Sequence, residues 1–257
     1  MTIRVYLTGR IVFELDGEPV IDEPHIRGKQ GRLASAYLVT SRDRPVPKED
    51  LGRLLWGEEL ASNWETALSS LMSRTRSLLA SRSLNEHGVS LEGGFGQYRL
   101  FLPVGAWTDL EAATSSIDQA ESALRTGDPR LVLGPATVVL NIARRPFLAG
   151  IENEWADSQR RRLERQPLRA LDCLTVMSLA RGEPATAVEM ATEAVEVDPF
   201  REVSCRHLMQ AHAVGGDRAR AAEAYRSLRK HLETELGTTP SEETEAMFRE
   251  IMGTRVG

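Results

Sequence analysis

Apolar positions along the chain follow two different periods in its first hundred residues. Residues 3–7 and 10–15 alternate or run apolar, and Asp16-Gly17 makes a tight turn into Pro19-Val20-Ile21, a pattern that predicts a small antiparallel sheet of three strands. From Lys29 the period becomes helical, with Leu33, Ala34, Tyr37 and Leu38 on one face, until the breaker-rich Arg42 to Pro47. Glu49 to Trp56 predicts a second helix closed by Gly57. Asn63 to Ala80 predicts a third, whose apolar stripe is Trp64, Ala67, Leu68, Leu71, Met72, Thr75, Leu78 and Leu79. Its opposite face carries Thr66, Ser69, Ser70, Ser73, Arg74 and Arg76. Val89 to Leu91 and Tyr98 to Leu102 then predict two short strands joined by Glu92-Gly93-Gly94-Phe95-Gly96-Gln97.

The second half repeats itself. Gly182 to Pro199 is echoed 34 residues later from Gly216, each time with a glycine, an acidic residue, a small residue five places on and apolar positions at helical spacing. That period is the mark of stacked antiparallel helix pairs, which position other things and carry no reaction chemistry of their own. Gly182 and Gly216 are the expected turns, and Ala187, Ala194, Ala221 and Tyr225 the expected packing positions. Upstream, Trp107 to Leu124 predicts a helix, Arg145 to Leu148 a connector, and Glu154 to Arg181 one long helical stretch. Arg160-Arg161-Arg162 on that stretch reads as interdomain pairing or a solvated face in preference to a phosphate contact.

The expected architecture is mainly α with a small β component: a winged helix-turn-helix domain over residues 1–103, followed by an all-α tetratricopeptide-like domain over 104–257. A content of 41% apolar and 27% charged residues suits two ordinary globular cores. The opening residues carry Arg4 and Arg10 within the apolar pattern, and no run approaches a membrane span, so a cytoplasmic protein without a membrane partner is expected. Cys173 and Cys205 lack metal-ligand neighbours and read as buried free thiols.

The formal charge of -5 is unevenly distributed. Basic and acidic residues balance over 1–103, so the deficit falls on the second half. Within the balanced half, Arg27, Lys29, Arg32, Arg42, Arg44 and Lys48 face only Asp43 over residues 24–48, and Arg74, Arg76 and Arg82 face no acid over 66–85. Such patches suit phosphate contacts, which bind by releasing counterions; a solvated face is the alternative reading. The third helix has the length and chemistry to enter a major groove, with short hydroxyls allowing close approach and arginines reaching guanine edges or phosphates. The hairpin would then be the wing, with Gln97 at the end of its connection and Tyr98 and Arg99 on its second strand.

Catalytic signals are absent from the sequence. There is no GxxxxGK, GxSxG, HExxH or CxxC, and His207 and His212 are badly spaced to share a metal, so neither an enzyme nor a cofactor is expected. Gly93-Gly94-Phe95-Gly96 leads into a strand, without the helix N-terminus that grips phosphate.

The segments KQGRLASAYL, VPKEDLGRLLWG, ALSSLMSRTRSLL, GGFGQYRL and AYRSLRKHLETELGTTPSEE, in that order, resemble the Streptomyces antibiotic regulatory protein family of activators over nearly the whole chain. The resemblance implies an OmpR-type winged helix followed by a bacterial transcriptional activator domain, with the ELGTTPSEE piece its most specific signal. It further implies binding to direct repeats in promoter DNA, RNA polymerase holoenzyme as a partner through its sigma factor and core subunits, and pairing of the protein with itself on tandem repeats. Arg74 and Arg76 fall on the Ser-Arg-Leu-Arg run of the family's recognition helix. Lys29 and Arg32 stand where a Lys-Gln-Arg-like segment positions the DNA backbone, a role that Arg27, Arg44 and Lys48 would share, and Arg99 would reach a minor groove or its phosphates. Glu65, at the start of the recognition helix, and Glu92-Gly93-Gly94, in the wing, stand where relatives are basic. They keep a second reading open, an interaction protein that binds a protein or small ligand through its helical repeats.

Overall fold

The computed structural model describes residues 2–253, which divide into two compact units. The first comprises Met1–Ala112 with Arg145–Arg162, and the second Ala113–Arg144 with Leu163–Gly257.

The first unit opens with β1 (Ile3–Tyr6), β2 (Val12–Leu15) and β3 (Glu18–Asp22), an antiparallel meander. Asp16 and Gly17 both adopt positive φ, at 51° and 93°, as a two-residue turn matched to strand twist requires. Alternation buries Ile3 and Val5 on one side of β1 and leaves Arg4 in solvent. Three helices follow, α1 (Gly28–Thr40), α2 (Lys48–Trp56) and α3 (Trp64–Ser81), with the two-residue strand β4 (Val46–Pro47) between the first two. Leu33, Ala34, Leu38, Leu51, Leu68, Met72 and Leu79 are among their buried residues at helical spacing. α2 stops at Gly57, whose φ of 89° no β-branched residue would hold. Gly52 gives the ring of Trp64 room to lie against α2, since a Cβ there would stand 2.9 Å from Trp64 Cε3. The strands β5 (Ser90–Gly94) and β6 (Gln97–Phe101) form the hairpin, and β4 joins it to give the order β4-β6-β5. Sheet, three helices and a terminal hairpin are a winged helix.

The expected helix from Trp107 begins differently. Trp107–Thr108 is a strand, β7, parallel to β1 with Arg4 opposite Trp107, and it completes a sheet of order β3-β2-β1-β7. Helix α4 (Asp109–Arg125) starts only after it. Buried Asp109 explains the switch. Its Oδ2 accepts from Leu7 N at 2.9 Å, Thr8 N at 2.8 Å and Thr8 Oγ1 at 2.8 Å, so the carboxylate finishes the end of β1. Burial pushes this carboxyl above its ordinary range, against the lowering effect of those same hydrogen bonds and of Arg145. The segment Arg145–Arg162 packs into the same unit. Gly9 N donates to Pro146 O at 2.7 Å, Asn153 Nδ2 donates to Leu54 O at 2.8 Å, and Trp155 meets Tyr37 edge-on at 5.1 Å. Arg160 binds the carbonyls of Phe147, Leu148 and Ile151 at 2.6–2.9 Å and also pairs with Asp157, so this arginine is a clamp on its own loop.

The second unit is helical. It contains most of α4, then α5 (Leu133–Ala143) and α7 (Gln166–Ala180); where one long stretch was expected before Arg181, α7 is preceded by a separate helix, α6 (Glu154–Glu164), whose first nine residues belong to the first unit. Pro167 lacks an amide proton and its ring clashes with the carbonyl four residues back, which breaks the helix at Arg165. α7 pairs with α8 (Pro184–Val197), and α9 (Glu202–Val214) with α10 (Arg218–His231). Gly182 and Gly216 make the turns with φ of 73° and 84°. The buried alanines Ala187, Ala191, Ala194 and Ala221 let these helices approach closely. After α10 a π-helical turn (Leu232–Leu236) ends at Gly237 with φ 63°, and α11 (Glu242–Gly253) closes the described chain.

That ending accounts for the ELGTTPSEE segment. Glu202, at the first turn of α9, accepts from Ser241 N at 2.9 Å, Ser241 Oγ at 2.5 Å and Thr244 Oγ1 at 2.6 Å. Burial works against the Glu202 charge, but the Ser241 and Thr244 hydrogen bonds outweigh it and hold the carboxyl below its usual range. Tyr225 stacks on Phe248 at 4.0 Å and donates to Glu245; burial and that carboxylate push its phenol up to about 12. Cys173 and Cys205 are buried free thiols, pushed by burial to about 11 and about 12, too high for thiolate chemistry at neutral pH.

Candidate nucleic-acid interface

The exposed face of α3 is built from short side chains. Thr66, Ser69, Ser70, Ser73, Arg74 and Ser77 are all exposed, whereas Leu68, Leu71, Met72 and Leu79 are buried. Ala67, which the apolar pattern assigns to the stripe, also lies in solvent; it sits one residue before Leu68, turned about 100° around the helix from it, and its methyl is small enough to stay outside at little cost. The outer face is therefore a run of hydroxyls and small groups that lets another surface come close to the backbone.

The basic residues divide into free and engaged groups. The Arg74 side chain makes no ion pair or hydrogen bond among the described residues, and neither do the side chains of Arg27, Lys29 and Arg44, all exposed. Arg27 and Arg74 line one cleft of about 470 Å³ between the start of α1 and α3, with His25, Ser73 and Ser77 on its rim. Arg32 is tied to Glu23 at 2.6 Å, and Arg42 forks onto Glu111, one arm at 2.7 Å. Lys48 lies half-buried at the start of α2, its Nζ 5.9 Å from the centre of the Tyr98 ring.

Two arginines of the predicted interface hold the wing. Arg76 Nε donates to the Leu91 carbonyl of β5 at 2.9 Å, which fastens the hairpin to the C-terminal half of α3. Arg99 donates to the carbonyls of Arg42 and Asp43 at 3.3 and 3.2 Å and lies over the Phe101 ring at 4.8 Å, fastening β6 to the loop after α1. Gln97 pairs with Pro47 across the β4–β6 ladder, and Tyr98 is buried.

Gly93 serves the same construction. A Cβ there would stand 2.6 Å from Tyr98 Cε1 and 3.3 Å from Arg76 Nη2, so the bare backbone is what lets the tyrosine ring and the guanidinium lie across β5. At the tip, Gly96 O accepts from Lys48 N at 2.9 Å, and Phe95 projects fully into solvent with φ 48°. Glu65 is exposed in the first turn of α3, where the helix dipole favours a carboxylate.

Among the described residues no group of three His, Cys, Asp or Glu side chains is placed to hold a metal, and no helix is long and apolar enough to cross a membrane. His207 binds Asp172 at 3.1 Å, beside the Arg201–Asp172 pair at 2.6 Å, and so ties α9 to α7.

Residues 108–252 match the family model of the bacterial transcriptional activator domain. The Streptomyces coelicolor transcriptional regulator RedD is 30% identical over 239 residues, which cover 90% of this chain and 67% of RedD. The regulatory protein AfsR of the same species is 32% identical over 211 residues, 82% of this chain but 20% of AfsR, so the chain spans about a fifth of that relative's length. The fold of Mycobacterium tuberculosis EmbR, solved in complex with a low-affinity phosphopeptide, superposes with a TM-score of 0.82 at 22% identity, over 98% of this chain and 65% of that one. A winged helix joined to stacked helix pairs, a model match over more than half of the chain and the RedD alignment place the chain in the bacterial transcriptional activator domain family, among transcriptional regulators of the Streptomyces antibiotic regulatory protein type.

Proposed function

We propose that the chain is a sequence-specific DNA-binding transcriptional activator. It binds direct repeats in promoter DNA through α3 and recruits RNA polymerase holoenzyme, acting on a secondary-metabolite or other pathway-specific gene cluster. The observation that carries this reading is the outer face of α3, where an unpaired Arg74 stands among Thr66, Ser69, Ser70 and Ser73 with no bulky side chain to keep a major groove away. Arg27, Lys29 and Arg44 supply free cations for phosphates, and Arg32, Arg76 and Arg99 act by holding the domain's shape. Stacked helix pairs suit the second unit to protein contacts with sigma factor and core polymerase.

A second reading is supported by the same arginines. With Arg76 and Arg99 engaged internally and Glu65 exposed, the wing has few free cations, which favours a protein that binds other proteins through its helical unit and not DNA. Selection of bound sequences from a random duplex pool, followed by titration of the winner and a scrambled control, separates the two. Recovery of paired direct repeats with a strong preference over scrambled DNA supports the activator, and reconstituted transcription from that sequence tests polymerase recruitment. No enrichment would reject DNA binding and leave the interaction protein.

A further inference from the structure

Phe95 occupies a position that a buried core would welcome and solvent does not. It stands at the tip of the β5–β6 hairpin, fully exposed, with φ 48°, a left-handed conformation that costs a bulky side chain of order 1 kcal/mol. Its neighbours Gly93, Gly94 and Gly96 would accept the same turn without strain, so folding does not call for a phenyl ring here. The base beneath the ring is held firmly. Arg76 ties β5 to α3, β6 pairs with β4, and Lys48 N donates to Gly96 O at the tip itself.

We infer that Phe95 is a wedge that enters the DNA minor groove beside the major groove read by α3, and unstacks a base step there. The inference rests on the DNA-binding reading above. An apolar side chain on a rigid tip is the group that other minor-groove proteins insert between bases to kink a duplex. A wing recognising phosphates would carry a free cation at its tip, and this one turns through Phe95 and Gly96, with Glu92 opposite Arg99 farther down the hairpin. The wedge adds sequence preference without hydrogen bonds, because pyrimidine–purine steps open most cheaply.

The test uses the full chain and the duplex recovered by selection, with 2-aminopurine placed in turn at each step flanking the α3 site and a donor–acceptor dye pair on the duplex ends. Wild type is expected to raise 2-aminopurine emission at one step and to shorten the end-to-end distance. Phe95→Gly, which holds the turn without strain and whose fold is checked by circular dichroism, should lose both signals and bind roughly tenfold more weakly, the value of one modest base–aromatic stack. Phe95→Trp should retain them. Arg74→Ala should bind more weakly yet keep the emission rise at saturating protein. If Phe95→Gly binds and unstacks as wild type does, the wedge is refuted while the DNA reading stands. If it binds normally but loses only reconstituted transcription, the ring meets a protein and the wedge is refuted as well. If wild type selects no sequence, the DNA reading fails first and the wedge falls with it.

Discussion

Arg74 and Arg76 sit two residues apart on α3, yet their surroundings assign them different consequences. Arg74 is exposed and unpaired, so Arg74→Ala removes nothing that the fold uses, and stability should stay within about 0.5 kcal/mol. If its guanidinium forks onto a guanine, the variant should lose about 1–3 kcal/mol for the selected operator and almost nothing for scrambled DNA. If it meets a phosphate, both duplexes should weaken together, and the slope of log affinity against log salt should fall by about 0.9. Anisotropy titrations of both duplexes at four salt concentrations distinguish these outcomes. Arg76→Ala loses the 2.9 Å bond to Leu91 O, for which about 1 kcal/mol is reasonable at a part-exposed site. Its signature is faster hydrogen exchange across residues 90–101, with DNA affinity falling because the wing has come loose. Operator affinity unchanged within twofold in Arg74→Ala would refute the assignment of α3's outer face as the reading surface.

Three further perturbations follow from the same geometry. Glu65→Gln removes an exposed carboxylate from the first turn of α3 and, on the DNA-binding reading, should raise affinity at low salt, an advantage that shrinks as salt screens it; an equal gain at every salt would rule out charge repulsion as the cause. Asp109→Ala strands three donors at the end of β1 and should cost about 3 kcal/mol or more in denaturant unfolding, whereas Asp109→Asn keeps an acceptor and should cost less than half as much; equal losses would show that the oxygen is not what matters. Asp172 is partly buried, which works against its charge, but the bonds from His207 and Arg201 outweigh burial and depress its pKa. A depressed carboxyl contributes stability that is present above its unfolded value of about 3.9 and is lost as pH falls through the lower folded value. Asp172→Asn should therefore show a smaller loss of stability between pH 5 and pH 2 than wild type, and an identical pH profile would remove this carboxylate from the acid response.

Elements with one wet face leave the clearest trace in the sequence. β1, α2 and α3 each bury one side and expose the other, so the period survives in the sequence and their ends fall within a few residues of expectation. Helix α5 escapes because 131–143 contains no charged residue at all, and Leu133 and Val138 are exposed beside buried Val139 and Leu140; without a polar face there is no period to read. The break between α6 and α7 was legible from Pro167, whose missing donor outweighs the helical spacing around it.

The interface shows a different limit. That α3 carries hydroxyls and arginines is a property of the string; which arginine is free is decided by residues far along the chain. Arg76 is engaged because Leu91 comes within reach once β5 folds back, and Arg99 because the loop after α1 offers two carbonyls. Gly93 and Gly94 read as missing cations when judged by charge alone. In the folded hairpin Gly93 is the space into which the Tyr98 ring and the Arg76 guanidinium fit, so a basic residue there would displace the arginine that fastens the wing. The cations nearest the wing, Arg76 and Arg99, are engaged in fastening the hairpin to α3 and to the loop after α1. A rigid hairpin is what an exposed aromatic tip needs if it is to open a base step instead of folding back on itself.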